Sequence, residues 1–157
     1  MRKIITTLVI FISFSMLLNA QDYRTGIGLR AGYPAGLTVK HFVNERTAVE
    51  GMLATRWGGF VVTGLFEAHR PLADVNNLKW FYGAGAHIGF WNSSSSRTWG
   101  NSGTSYTVVG IDGILGVEYS FGEIPINIGL DWKPAFNIIG YSGVWADGAA
   151  FSIRYIF

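Results

Sequence analysis

The sequence predicts an all-β fold, a transmembrane antiparallel up-and-down β-barrel of about eight strands. Three observations carry this. Past residue 20, apolar residues recur with a period of two along most of the chain, the spacing of strands with two unlike faces. Charged residues make up 14% of the chain while aromatics reach 15%; a water-covered surface ordinarily takes about 25% charge. Past residue 20 no apolar run approaches the roughly 20 residues of a spanning helix, so a chain entering a bilayer must satisfy its backbone as a closed barrel.

Residues 1–20 read as a signal peptide and residues 21–157 as the barrel domain. Arg2 and Lys3 form a short positive start, Ile4 to Leu18 is apolar apart from Thr and Ser, and Leu18-Asn19-Ala20 offers a cleavage site that leaves Gln21 first. The 12 Lys and Arg include Arg2 and Lys3, so ten remain against ten Asp and Glu. The exported chain is then neutral, with no basic field to argue for nucleic acid. With no cysteine, disulfides, thiolate nucleophiles and Cys-based metal sites drop out together.

The strands follow in order. Residues 26–33 set Ile27, Leu29, Ala31 and Tyr33 against Gly26, Gly28, Arg30 and Gly32. Residues 37–43 put Lys40 on one face and Val39 and His41 on the other, and Asn44-Glu45-Arg46 turns the chain. Residues 47–57 place Val49, Leu53 and Trp57 opposite Glu50, Met52 and Arg56; Gly58-Gly59 reads as the next turn. Residues 60–69 alternate Phe60, Val62, Gly64, Phe66 and Ala68 against Thr63, Glu67 and His69. After a polar turn over 71–77, Trp80 to Phe90 alternates against Phe81, Gly83, Gly85, His87 and Gly89. Residues 92–105 form a long Ser-, Gly- and Asn-rich loop. Residues 106–121 set Val109, Ile111, Leu115, Val117, Tyr119 and Phe121 against Gly110, Asp112, Gly116 and Glu118. Ile126, Ile128, Leu130, Trp132 and Phe136 then oppose Asn127, Gly129, Asp131 and Lys133, and the last strand sets Ala149, Phe151, Ile153, Tyr155 and Phe157 against Gly148, Ala150, Ser152 and Arg154.

Nearly every ionisable strand residue lies opposite the apolar row, and glycine crowds the same polar row, as a narrow interior demands. The apolar rows therefore face lipid. Trp80, Tyr82, Tyr119, Phe121, Tyr155 and Phe157 form one aromatic belt, and Tyr33, Trp57, Phe60, Phe90 and Phe136 the other. Pro134, which lacks an amide donor, is placed near the outer rim, where pairing can end. A soluble lipocalin-like barrel has a similar strand number but an apolar inside and a charged outside, the inverse of this chain.

The C-terminal run Phe151-Ser152-Ile153-Arg154-Tyr155-Ile156-Phe157 resembles the terminal strand of outer-membrane barrel proteins. The chain as a whole resembles the small barrels of the OmpA, OmpX and OmpW kind, and Gly129-Leu130-Asp131-Trp132-Lys133-Pro134-Ala135-Phe136-Asn137 is similar to the penultimate strand of small barrels from Bacteroidota-type bacteria. The resemblance implies a Gram-negative outer membrane as the address, reached after signal-directed export. It also implies that Phe151, Ile153, Tyr155 and Phe157 present an assembly signal to the barrel-assembly machinery.

The expected lumen set is Arg30, Glu50, Arg56, Glu67, His69, His87, Asp112, Glu118, Asp131, Lys133 and Arg154, with Lys40 on the same face. Mixed signs in a narrow interior point to ion pairs that fill it, because buried charges persist only when paired. The rival reading is a constricted path for ions or small solutes. A lipid-modifying enzyme needs a nucleophile beside His and an acid. His41, His69 and His87 are followed by Phe42-Val43, Arg70-Pro71 and Ile88-Gly89, none of them a His-x-Ser arrangement. No catalytic residue, metal site or cofactor is expected. The loop 92–105, which holds Arg97 and Trp99 and leads into Tyr106, faces outward if both termini are periplasmic, where a loop of this length can bind an extracellular partner or serve as a solvated surface loop. The expectation is a non-enzymatic outer-membrane protein with a structural or surface-interaction role.

Overall fold

A computed structural model describes residues 24–72, 75–92, 105–140 and 143–157. The signal segment 1–20 and nearly all of the loop 92–105 lie outside them. Ten strand segments follow one another: β1 (Thr25–Gly32), β2 (Ala35–Asn44), β3 (Thr47–Arg56), β4 (Gly59–Pro71), β5 (Leu78–Trp91), β6 (Tyr106–Ser120), β7 (Ile126–Trp132), β8 (Ala135–Ile139), β9 (Gly143–Trp145) and β10 (Ala149–Ile156). Every pairing is antiparallel, and the β1–β10 and β5–β6 ladders complete a circuit. β7 and β8 form one stave against β6, and β10 and β9 form the next. The result is a closed up-and-down barrel of eight staves.

The period of two in the sequence becomes an inside and an outside. In β3, Ala48, Glu50, Met52, Ala54 and Arg56 are buried while Val49, Gly51, Leu53 and Thr55 are exposed. The outer wall is apolar and well exposed: Leu29 is 59% exposed, Phe66 59% and Leu130 58%. Water does not favour such a surface. From Trp80 to Phe90 the outward row of β5 runs about 33 Å along the strand, or about 25 Å of height at a tilt of about 40°.

That tilt follows from the register. Gly32 of β1 pairs with Ala150, Ala150 with Asp131, Asp131 with Gly116, Gly116 with Phe81 and Phe81 with His69. His69 donates its amide to the Arg46 carbonyl in the turn beyond β2, and Phe42 of β2 is bonded to Arg24. The circuit returns to β1 roughly ten residues below its start, a stagger that gives eight strands a radius of roughly 8 Å. A cylinder so narrow is filled by its own side chains.

Four local expectations are corrected. The β3–β4 turn is Trp57-Gly58, not Gly58-Gly59, because Arg56 pairs with Gly59 and both central residues take positive φ, 49° and 77°. This is the two-residue geometry that a right-twisted hairpin prefers. Trp57 consequently leaves the outward belt. It is half-buried and its ring meets Trp145 edge-on at 5.6 Å. Pro134 does not end pairing near the rim: its carbonyl accepts from Gly113 at 2.9 Å, and β8 resumes against β6 in the register that β7 held. The missing donor costs one ladder bond, the reciprocal one to the Gly113 carbonyl, and the register carries through it. The last stave also extends further than the sequence reading had it. Trp132 pairs with Ala149 but Ala135 with Trp145, so residues 146–148 hold one residue more than the strand facing them. This bulge inverts the alternation above it and turns Trp145 inward, where it is buried.

A Cβ on inward Gly85 would strike the carbonyl oxygen of Gly64, whereas one on outward Gly51 meets nothing within 4 Å. Gly85→Val is therefore expected to destabilise by about 1–3 kcal/mol and Gly51→Val by less than about 0.5 kcal/mol. Urea unfolding of the refolded protein measures both, and equal midpoints would contradict the register.

Candidate functional site

The staves bring two ionic clusters into the interior, one towards the termini and one towards the opposite rim. All the ionisable residues proposed from the sequence as lumen residues are buried: Arg30, Glu50, Arg56, Glu67, His69, His87, Asp112, Glu118, Asp131, Lys133, Arg154 and Lys40. His41, on the other face of β2, is exposed, and its Nδ1 lies 2.9 Å from the Thr25 hydroxyl.

In the terminal half, Lys40 stands at the centre. Its Nζ lies 2.8 Å from Glu67, 3.2 Å from Glu118 and 3.3 Å from Glu50. β2 and β6 are opposite staves in a ring of eight, so the Lys40–Glu118 pair crosses the barrel axis. The Lys40 ammonium also sits 4.0 Å from the Phe81 ring centroid. Arg154 of β10 donates to Glu50 at 2.6 Å and to the Asn127 amide oxygen at 3.3 Å. Thr38 donates its hydroxyl to Glu50. His69 lies 3.5 Å from Glu118 and stacks on Phe81 with centroids 5.1 Å apart. Three carboxyl groups thus face one ammonium and one guanidinium, an excess of one acid in which each group still has an opposite charge within reach.

Met52, Leu65, Phe81 and Ile114 form an apolar layer near mid-height. Arg30 donates through one Nη to both oxygens of Asp131, at 2.6 and 2.5 Å, across the intervening stave. In the rim half, Asp112 accepts from Lys133 and lies 2.7 Å from His87 Nδ1. His87 Nε2 is 2.9 Å from the Asn137 oxygen, and Trp145 stacks on the imidazole at 5.2 Å. Both ring nitrogens are engaged. Arg56 pairs with Asp147 at 2.5 Å and lies over the rings of Trp57 and Trp145.

Sequence reasoning missed Asp147, Trp145 and the supporting amides Asn127 and Asn137. The amides were visible as inward positions of a period-two pattern. Asp147 and Trp145 were not, because the bulge changes which residues point inward. Phe151, Ile153, Tyr155 and Phe157 all project outward from the strand that closes the barrel on β1. Among the described residues no group of three His, Cys, Asp or Glu side chains is placed to hold a metal ion. Comparison with models of known protein families and with curated proteins finds no match to this chain.

Arg30 and Asp131 are both buried and bonded to each other. Arg30→Ala or Asp131→Ala alone is expected to cost about 3–5 kcal/mol, because each leaves a buried charge without its partner. Replacing both with apolar residues should cost far less than the sum. A double-mutant cycle in urea reads the difference, and additive losses would mean that the two side chains are not coupled.

Proposed function

We propose that this chain is an outer-membrane β-barrel protein, non-enzymatic and closed to solutes, whose role is structural or lies in contacts made at its surface. The observation that carries the closed reading is the Lys40 cluster, in which an ion pair between opposite staves lies on the axis of a barrel of roughly 8 Å radius. Any ion passing through would have to separate Lys40 from its carboxylates in a low-dielectric interior, at a cost that narrow polar pores avoid.

The outer wall supports the membrane part. Its apolar height of about 25 Å equals the lipid-facing band of bacterial barrels. Aromatic neighbours Trp80 and Tyr82, Tyr119 and Phe121, and Tyr155 and Phe157 sit towards the terminal end, where an interfacial belt belongs. The likeness to small barrels of the OmpA, OmpX and OmpW kind, a Bacteroidota-type origin and a signal peptide at 1–20 belong to the same reading. So does capture of the C-terminal strand by the barrel-assembly machinery.

Refolded protein in planar bilayers is expected to pass no steady current. Stepwise, salt-dependent conductance that changes on Asp131→Ala or Arg30→Ala would make the protein a narrow channel instead. Cell fractionation should recover the chain with the outer membrane as a heat-modifiable band, and a soluble periplasmic pool would overturn the placement.

A further inference from the structure

The wall of the barrel is not level at the rim away from the termini. The last β2–β3 pair is Ala35 with Thr55, and the last β1–β10 pair is Gly32 with Ala150, beyond which Tyr33 bonds Ala149. Arg56 and Trp57 on one side, and residues 143–147 on the other, therefore rise above the short β1–β2 hairpin with no strand between them among the described residues. The notch holds an open pocket of about 460 Å³ lined by Arg56, Trp57, Val144, Trp145 and Asp147 among others, within the size range of small-ligand sites.

Its polar groups are unbalanced. The Arg56 side chain is 2% exposed and has one carboxylate partner, Asp147, whose own side chain is 56% exposed on the bulge. Arg56 Nε and Trp145 Nε1 are both buried donors without an acceptor among the described residues. Stacking fixes the guanidinium in place: its carbon lies 4.1 Å from the Trp57 centroid and 4.5 Å from that of Trp145. Among the described residues the Arg56 guanidinium therefore has one acidic partner, and that partner is exposed on the bulge. A guanidinium held so is suited to a bidentate oxyanion, and apolar rings beside it exclude water from that bond.

We infer that the rim notch is an oxyanion site, in which a phosphate-type group of a soluble molecule or a lipid headgroup displaces Asp147 and takes Arg56. Asp147 is then an internal stand-in for the ligand, occupying the cation when the site is empty. This fixes the signs of two substitutions. Asp147→Asn removes the competitor and tightens binding; Arg56→Gln removes the site.

Inorganic phosphate is titrated into refolded protein in an amine-oxide detergent, which itself carries no phosphate, at constant ionic strength. Tryptophan fluorescence reads the site, since Trp57 and Trp145 both stack on Arg56. The expected result is a saturable change, tightened by about fivefold in Asp147→Asn, the factor of a partly exposed ion pair, and abolished in Arg56→Gln. Heat-modifiable mobility reports whether each variant is folded. Should Arg56→Gln fail to fold, Asp147→Asn decides alone, because its side chain is exposed and its loss leaves the wall intact. No saturable change in either wild type or Asp147→Asn, equal affinity in the two, or binding that survives in folded Arg56→Gln would each overturn the inference. Phosphatidic acid doped into the micelles separates the sources: competition with free phosphate marks a headgroup site, and its absence marks a site for a soluble molecule. The notch belongs to the rim whether or not the wall faces lipid. Its failure therefore leaves the closed-lumen reading standing, which the bilayer recording tests separately.

Discussion

Lys40 reaches Glu118 from the facing side of the barrel, and nearly everything else inside is arranged around that reach. An ammonium withdrawn from water is tolerated only if its surroundings replace the lost hydration, and Glu50, Glu67 and Glu118 do so from three different staves. Each of those carboxylates brings a further obligation. Glu50 is shared with Arg154 and Thr38, and Glu118 with His69. The interior is thus a chain of mutual dependence running from stave to stave, stabilised less by any one attraction than by the penalty for breaking it.

Such a core specifies register more sharply than an aliphatic one. A slip of one residue in β3 would carry Glu50 and Arg56 to the outer wall and bring Val49 and Leu53 inside. In a barrel lined with leucine on both faces the same slip would be nearly silent. The low charge of the chain and the concentration of that charge on the inward rows are two sides of one constraint. The outward rows are apolar and the charges lie inside, where they fix alignment.

Much of this was legible beforehand, for a definite reason. Period two assigns each residue a face without knowledge of its partner, so Arg30, Glu67, Asp112 and Arg154 could be placed inside from the local pattern alone. Which ion meets which could not be read. Arg30 finds Asp131 because the circuit of paired strands closes with a particular stagger, and stagger is a property of the whole ring. Local reading failed where the alternation is broken. At Trp57-Gly58 a tryptophan takes a positive φ that glycine would favour, so the double glycine beside it pointed one residue too far along. At residues 146–148 nothing in composition announces an extra residue. Asp147 and Trp145 were therefore invisible as site residues until the two ladders on either side of Pro134 were compared.

The same bulge divides the last stave into two parts with different histories available to them. Below it, parity is locked: ladder bonds to β1 and β7 and the buried Arg154 allow no insertion or deletion. Above it the frame has already been reset once, and the segment pairs with β8. A rim built on such a joint can exchange its loop, lengthen it or change which side chains it turns over the mouth without disturbing the cylinder beneath. Novelty at the rim is thereby uncoupled from the discipline of the wall.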